Sequence, residues 1–363
     1  MIPYLLVFLL AASAFIFYKW FKTDIPFYIL LLVLVVFSGF RDMIGGFDVY
    51  IYAEVYEYRN NLIILIFPYF EIGFRLLYIA LRSINEKREF MFFCMALLIL
   101  CLHFITIKKH SKLLYFSIFI YFCKFYLFTF IYLRQGLAMG IIWFSIPFIL
   151  EKKYFKSLII FSIAFCFHKS SLIFLPLLFI ANRRLTGIQL ISGIFLFLIV
   201  FISPLNQLIS SSLASAADSE KLAGYSKKNS SVNVFYLVEL SLFSWLAIAF
   251  RKFFYKTDKG KLIYNGFILY ILFSIVGLTN ATFVRLTWYY FIFVVLALPY
   301  MYHYLRDVPF KRFFKTMIFA YYSAIFIRLL ITYDNGDLMP YKSIFQNFQR
   351  NGLWEHMEYR KNK

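Results

Sequence analysis

The chain has 363 residues, of which 62% are hydrophobic and only 15% charged, with a mean hydropathy of +0.74. A soluble domain of this length carries about 25% charged residues, so the composition excludes a soluble globular protein. The net charge of +20 does not argue for a nucleic-acid partner, because half of the 38 Lys and Arg sit in short loops between apolar runs, where basic residues set orientation and face anionic lipid.

Apolar runs of about 16–20 residues, bounded by Lys or Arg, recur along the chain. They predict spans at 2–18, 25–40, 90–107, 113–131, 135–150, 186–203, 232–250, 262–279, 286–304 and 314–332, with shorter runs at 157–167 and 170–181 meeting at His168. The expected fold is an all-α integral membrane bundle of about 11–13 spans. The first span lacks a basic leading region and ends at Lys19 and Lys22, so it reads as a span and not as a cleaved signal. The positive-inside bias assigns Lys19/Lys22, Lys108/Lys109/Lys112, Lys152/Lys153/Lys156, Arg183/Arg184, Arg251–Lys261 and Arg306–Lys315 to the cytoplasmic face. The outer face then receives 41–89, the turns at Arg134, His168 and 280–285, a Ser/Ala-rich loop at 204–231, and an interfacial, periplasmic tail at 333–363. A full span at 61–82 would move Lys108–Lys112 outside, so that stretch reads as an amphipathic or re-entrant helix on the outer face. Residues 1–332 are expected to form one membrane-embedded domain. Cys94, Cys101, Cys123 and Cys166 lie in apolar runs without disulfide or metal spacing; they read as small core residues, and no metal or cofactor is expected.

Five charged clusters reach the outer face under a topology set by other residues. In 37–58, Arg41 and Asp42 precede a tight Gly45-Gly46 turn, followed by Asp48, Tyr50, Tyr52 and Tyr56. Carboxylates to take hydroxyl donors, rings to stack on sugar faces and an Arg for phosphate suit a sugar ligand; the bland alternative is an interfacial anchor with a local Arg–Asp pair. In 68–77, Glu71 and Arg75 have the spacing of an i,i+4 pair on one helix face, and the structural reading is favoured for them in isolation. Arg134-Gln135 opens an apolar span, with Gly136 and Gly140 spaced for close helix packing. A guanidinium near a helix N-terminus makes an anion site from two independent causes; snorkelling to lipid phosphate is the alternative. In 166–171, His168 falls at a break, with Lys169, Ser170 and Ser171 placed to cap the next run. A satisfied polar core residue is its competing reading, and His103, His110, His303 and His356 draw no functional one. In 280–290, Arg285 repeats the logic of Arg134, and Arg328 either joins it or snorkels outward. Charged groups at the edges of spans are expensive to bury, so their agreement on one face carries more than any one cluster.

These motifs resemble the EpsG family of bacterial exopolysaccharide and O-antigen polymerases, the Wzy-like enzymes. The resemblance rests on G-F-R-D-x-x-G-G-F-D-x-Y at 39–50, the Glu71–Gly73 turn, R-Q-x-x-A at Arg134–Ala138, H-K-S-S at 168–171, and an Arg followed by paired tyrosines at 285–290. The chain departs from commoner versions in carrying Gly-Gly-Phe before Asp48. The resemblance implies a GT-C-class glycosyltransferase of the bacterial inner membrane, working at the periplasmic face without a nucleotide sugar. Such enzymes transfer a growing glycan from undecaprenyl diphosphate to another lipid-linked repeat unit. On that chemistry Arg134, Arg285 and Arg41 are expected at the diphosphate, where charge builds as the carrier leaves. His168 is the first candidate for general base, with Asp42 or Asp48 the second. Gln135, Lys169, Glu71, Arg75, Tyr52 and Tyr289 are expected to shape the substrate site. The implied partners are the undecaprenyl-diphosphate-linked oligosaccharide, membrane lipids and a chain-length regulator. A lipid-linked oligosaccharide flippase is a rival that would show repeats and charges lining a path through the membrane. A membrane O-acyltransferase is another, disfavoured by an outward-facing His168.

Overall fold

The computed structural model describes residues 1–203, 234–278, 281–332, 338–350 and 354–355. Apart from one isolated bridge between Arg41 and Ser343, the regular structure of the described residues is helical. Seven helical stretches among them are long and apolar enough to cross a membrane: Ile2–Trp20, Arg88–His110, Leu133–Leu150, Val234–Phe254, Asp258–Val276, Val284–Tyr304 and Val308–Thr332. Shorter apolar helices join them, and the chain is a polytopic helical membrane protein. It divides into two compact units: Met1–Phe144 with Cys166–His168 and Leu305–Lys363, and Ser145–Phe165 with Lys169–Tyr304. The outer loop expected at 204–231 lies outside the described residues.

The first unit contains α1 (Ile2–Phe17), α2 (Ile25–Gly39), α3 (Phe47–Tyr58), α4 (Asn61–Ile66), α5 (Ile72–Arg82), α6 (Arg88–His110), α7 (Leu114–Lys124), α8 (Leu133–Trp143) and the last helix, α17 (Val308–Thr332). Prolines at the first turns of α1 and α2 start helices where no backbone N–H is needed. Rings fill the space between α1, α7 and α17: Phe15 stacks on Phe119 at 4.7 Å, and Phe119 on Phe319 at 5.2 Å. The run expected as a span at 113–131 is divided into α7 and a 3-10 segment, Tyr126–Phe130.

Helices α2 and α6 run antiparallel and are tied at both ends. Lys108 Nζ meets Asp24 Oδ2 at 2.8 Å, and Arg88 Nη2 meets Asp42 Oδ1 at 3.6 Å. Residues 43–87 therefore leave and return to the same end of the pair. The longest helix between them, α3, has 12 residues and reaches about 18 Å, well short of a hydrocarbon core of about 30 Å. The 61–82 stretch forms α4 and α5, both shorter than α3.

Residues 338–350 also belong to this end. Tyr341 stacks on Phe37 with centroids 4.2 Å apart, Lys342 Nζ meets Asp42 Oδ2 at 2.8 Å, and Arg350 Nη1 donates to the Met43 carbonyl at 3.1 Å. The part of the tail that is described thus straps the 37–46 turn instead of lying apart from it.

The second unit contains α9 (Ile146–Leu150), α10 (Tyr154–Phe167, whose last two residues belong to the first unit), α11 (Pro176–Ile180), α12 (Gly187–Ile202), α13 (Val234–Phe254), α14 (Asp258–Val276), α15 (Ala281–Thr287) and α16 (Phe291–Tyr304). Helix α14 is its buried axis. Its Asn265 amide donates to the carbonyls of Ala181 (3.1 Å) and Arg183 (2.9 Å), and its Tyr264 hydroxyl to that of Ala247 (3.1 Å). The Asn265 bonds satisfy carbonyls left open where α11 ends. The turn expected at 280–285 is, over its described residues, the start of α15.

Candidate active site

The 37–46 turn is built around Arg41. Its guanidinium is 1% exposed, lies over the rings of Phe92 (4.8 Å) and Phe130 (5.0 Å), and donates to the carbonyls of Ser38, Ile44 (3.1 Å) and Phe130 (2.8 Å). Gly45 and Gly46 follow with φ of +132° and +74°, a path that side chains resist. The donors of Arg41, expected at phosphate, point inward at backbone and hold the turn. The same turn places Asp42, whose carboxylate is taken by Lys342 and Arg88. Asp42, the expected second candidate for general base, ties the turn to the strap with an oxygen toward each cation.

The tyrosines of α3 turn into the core of the unit. Tyr50, Tyr52 and Tyr56 are buried, and the Tyr52 ring packs against Phe70 and Phe74 at 5.5 and 5.8 Å. The Tyr56 ring meets Tyr78 edge to face at 5.3 Å. The Tyr52 hydroxyl meets the charged cluster, 3.4 Å from Arg134 Nε.

After Pro68 the chain turns into α5 with Glu71 as its N-cap, in extended backbone (φ −68°, ψ 154°). That conformation takes the Glu71 side chain off the helix face, so the expected pair with Arg75 does not form; Arg75 donates to the Leu65 carbonyl instead. Gly73 brings α5 close to the end of α10. A Cβ there would stand 2.8 Å from the Cys166 carbonyl oxygen, closer than such contacts tolerate, and this approach sets Glu71 beside His168.

Arg134, in the first turn of α8, completes the cluster. Its Nη1 meets Glu71 Oε2 at 2.7 Å and the Tyr69 carbonyl at 2.8 Å, and its guanidinium lies over Phe70 at 5.1 Å. Its Nη2 makes no hydrogen bond to a described residue, and the side chain is 23% exposed. The second Glu71 oxygen, Oε1, meets His168 Nδ1 at 2.8 Å. One carboxylate therefore bridges a guanidinium and an imidazole. Burial pushes the Glu71 carboxyl up, but the hydrogen bond and charge of His168 together with Arg134 outweigh it and hold the group at about 2. An ionised carboxylate only accepts, so the proton between the two belongs to Nδ1, and in neutral His168 Nε2 is the unprotonated nitrogen.

Asp48, in the first turn of α3, is half-buried one helical turn before Tyr52 and forms no hydrogen bond or ion pair with a described residue. Gln135 is buried within α8. The remaining expected residues lie in the second unit. Lys169 opens a 3-10 segment and is exposed; Ser170 Oγ lies 3.0 Å from the hydroxyl of Tyr289, which is fully buried; the Tyr290 hydroxyl donates to the Ile173 carbonyl at 2.6 Å. Arg285 is half-buried on α15. The H-K-S-S segment thus divides, with His168 in the first unit and its followers packed on the 288–290 turn of the second.

Two further groups matter. His103, fully buried, bridges Tyr121 (2.6 Å) and the Gly136 carbonyl (2.8 Å) and acts as a satisfied core residue between α6, α7 and α8. Glu239 was not anticipated. It is 3% exposed in the middle of α13 and accepts from the Tyr270 hydroxyl at 3.2 Å. A lone carboxylate inside an apolar span was the signal that would have found it. Among the described residues no three His, Cys, Asp or Glu side chains gather as a metal set would.

In chemical terms the cluster offers a guanidinium edge for an oxyanion, an imidazole oriented through Nδ1, and a nearby half-buried carboxylate. Residues 24–343 match the family model described as EpsG family. No curated protein and no solved structure matches the chain.

Proposed function

Because the chain belongs to the EpsG family, a group of polysaccharide polymerase-type membrane proteins, we propose that it transfers a growing glycan from undecaprenyl diphosphate to a lipid-linked repeat unit. The observation that carries this reading is the Glu71 bridge between Arg134 and His168. In the proposed reaction the bond between the donor's anomeric carbon and the diphosphate oxygen breaks. A glycosidic bond forms from that carbon to an acceptor hydroxyl oxygen. The diphosphate leaves with the bonding electron pair, and the open edge of Arg134 meets its developing charge. Preorganised charged donors of this kind are worth about 10²–10³ in rate. The acceptor proton passes to His168 Nε2, and such base catalysis contributes about 10²–10⁴. Glu71, with both oxygens engaged, orients the two side chains and does not itself need to touch sugar.

Asp48 is the second reading for the base, favoured by a carboxylate that no described residue pairs. Arg285 carries an independent expectation of phosphate contact within its own unit. The bacterial inner membrane with a periplasmic site, GT-C-type architecture and a length-regulating partner belong to the same proposal.

The test is reconstitution of the full chain with its cognate undecaprenyl-diphosphate repeat unit and no nucleotide sugar. Wild type should build a glycan ladder, and Arg134→Lys, which keeps the charge and loses the planar fork, should build at least about 10²-fold less. Repeat units carried across the bilayer with no ladder would overturn the polymerase reading in favour of a flippase.

A further inference from the structure

A second charged site lies wholly within the second unit, at the other end of its helices from Ser170 and Tyr289. Helix α14 has 19 residues, about 28 Å long, close to the thickness of a hydrocarbon core. Near its Val276 end are Val284, packed on Gly277, and Tyr290, stacked on Phe273 at 5.5 Å. At its Asp258 end the start of α12 and the ends of α13 and α16 come together. The Leu185 N–H donates to the Tyr255 hydroxyl at 2.9 Å, Thr257 Oγ1 lies 3.3 Å from the Tyr300 hydroxyl, and Lys256 sits over the Tyr304 ring at 5.7 Å.

Between the start of α12 and the end of α13 opens a cleft of about 390 Å³, lined by Arg184, Arg251, Lys252, Lys256, Thr186 and Tyr255 among others. Four of these are cations, and no carboxylate contributes to the lining. None of the four ion-pairs with a carboxylate among the described residues; the nearby Asp258 is paired with Lys261 at 2.6 Å. Arg251 lies across the first turn of α12, its Nη1 2.9 Å from where a Cβ on Gly187 would stand. Gly187 therefore makes room for the guanidinium at a helix start that is closed on its other side by the Thr186–Gln189 capping box.

Four like charges converging on one cleft repel one another, and an anion relieves that repulsion. The two arginines add planar forks that match phosphate oxygens, and the cleft has the size of a small-ligand site. We propose that it binds a phosphate-bearing anionic group. The segments that form it are those the positive-inside bias assigns to the cytoplasmic face, where anionic lipid headgroups are concentrated. This inference does not depend on the polymerase reading, since no residue is shared with the Arg134 cluster.

The experiment uses the full chain in phosphatidylcholine nanodiscs. Cardiolipin or phosphatidylglycerol is titrated in one arm, inorganic phosphate and pyrophosphate in another, with binding read by native mass spectrometry and by the shift in Tm. Arg184→Gln/Arg251→Gln should weaken binding roughly thirtyfold. Gly187→Leu, which leaves every charge in place and fills the space under Arg251, should also weaken it. Lys19→Gln/Lys22→Gln, an equal loss of charge in the first unit, should not. Saturable binding of the lipids that responds to these variants assigns a headgroup; binding of the soluble anions alone assigns a free phosphate ligand. No binding in either arm, or equal weakening by the Lys19/Lys22 control, overturns the site.

Discussion

Glu71 and Arg134 are 63 positions apart in sequence and 2.7 Å apart in the structure. The other oxygen of the same carboxylate faces His168, a further 97 positions from Glu71 along the chain. The three side chains form one electrostatic unit, and changing one changes the surroundings of the other two.

Arg134→Ala should destabilise the first unit by about 2–4 kcal/mol, because it strands a carboxylate that is 10% exposed; partial exposure of Arg134 puts this below the figure for a dry pair. Glu71→Gln in the same chain should restore most of the stability and none of the turnover. A double-mutant cycle in Tm and ladder formation checks both halves. Activity returning with stability would show that the cluster is structural only.

The Glu71 carboxyl sits at about 2 in the fold against an ordinary 4.5, so the unfolded chain takes up this proton first as pH falls. Its stabilisation is complete above about pH 4.5 and drains away as the pH approaches 2. The Tm gap between wild type and Glu71→Gln should narrow as the pH falls below about 4.5. A gap that widens on acidification contradicts the sign of this linkage.

Arg41→Lys should fail as a fold before it fails as an enzyme. Three carbonyls and two rings surround the guanidinium, and an ammonium cannot serve that planar arrangement. Loss of about 2–4 kcal/mol is expected, read as a drop in Tm and in yield from membranes. A stable Arg41→Lys protein with no polymer would return Arg41 to the diphosphate.

The general base is assigned by comparing His168→Gln with Asp48→Asn. His168→Gln should lower turnover by about 10²–10⁴ with lipid-linked substrate still bound. Asp48→Asn should leave more than half of the activity. The opposite ranking moves the proton to Asp48.

Gly73→Ala should cost about 1–3 kcal/mol and reduce turnover together, since the new methyl group meets the Cys166 backbone and displaces α5. Gly193, inside α12 where an added Cβ has only ordinary contacts at 3.9 Å, supplies the control: Gly193→Ala should leave turnover unchanged and raise stability by about 0.5–1 kcal/mol. Equal effects at the two positions would remove the special role of the close approach.

The positions of charge were legible in the sequence wherever an ionisable group interrupted an apolar run. Arg134 and His168 stand out for that reason, and the same rule, applied to 232–250, would have exposed Glu239. The lysine clusters led the sequence reading to keep 61–82 on one side, and the Asp24–Lys108 and Asp42–Arg88 ties place both ends of 43–87 at one end of the α2–α6 pair. Partnership was not legible. Four-residue spacing suggested Arg75 for Glu71, whereas the N-cap backbone turns Glu71 toward groups 63 and 97 residues away. Arg41 looked like the mouth of a gate because no local pattern reveals that the Phe130 carbonyl, 89 residues on, points at it. The tyrosines of α3 misled similarly, since membrane-boundary enrichment and core packing produce the same letters.

The strap formed by residues 338–350 has a consequence for biosynthesis. Tyr341 and Phe37 are joined across 304 residues, so the turn that carries Asp42 leaves the ribosome long before its cover is made. Meanwhile the second unit, apart from a short piece of α10, is synthesised as an insertion into the first. A nascent chain interrupted after Arg88 and before these points meet would hold the earlier helices and still expose an open turn, its Asp42 paired with Arg88 but lacking Lys342. Membrane quality control could distinguish the two forms by that turn alone, and a bulky carboxy-terminal fusion would risk keeping the finished protein in the unfinished state.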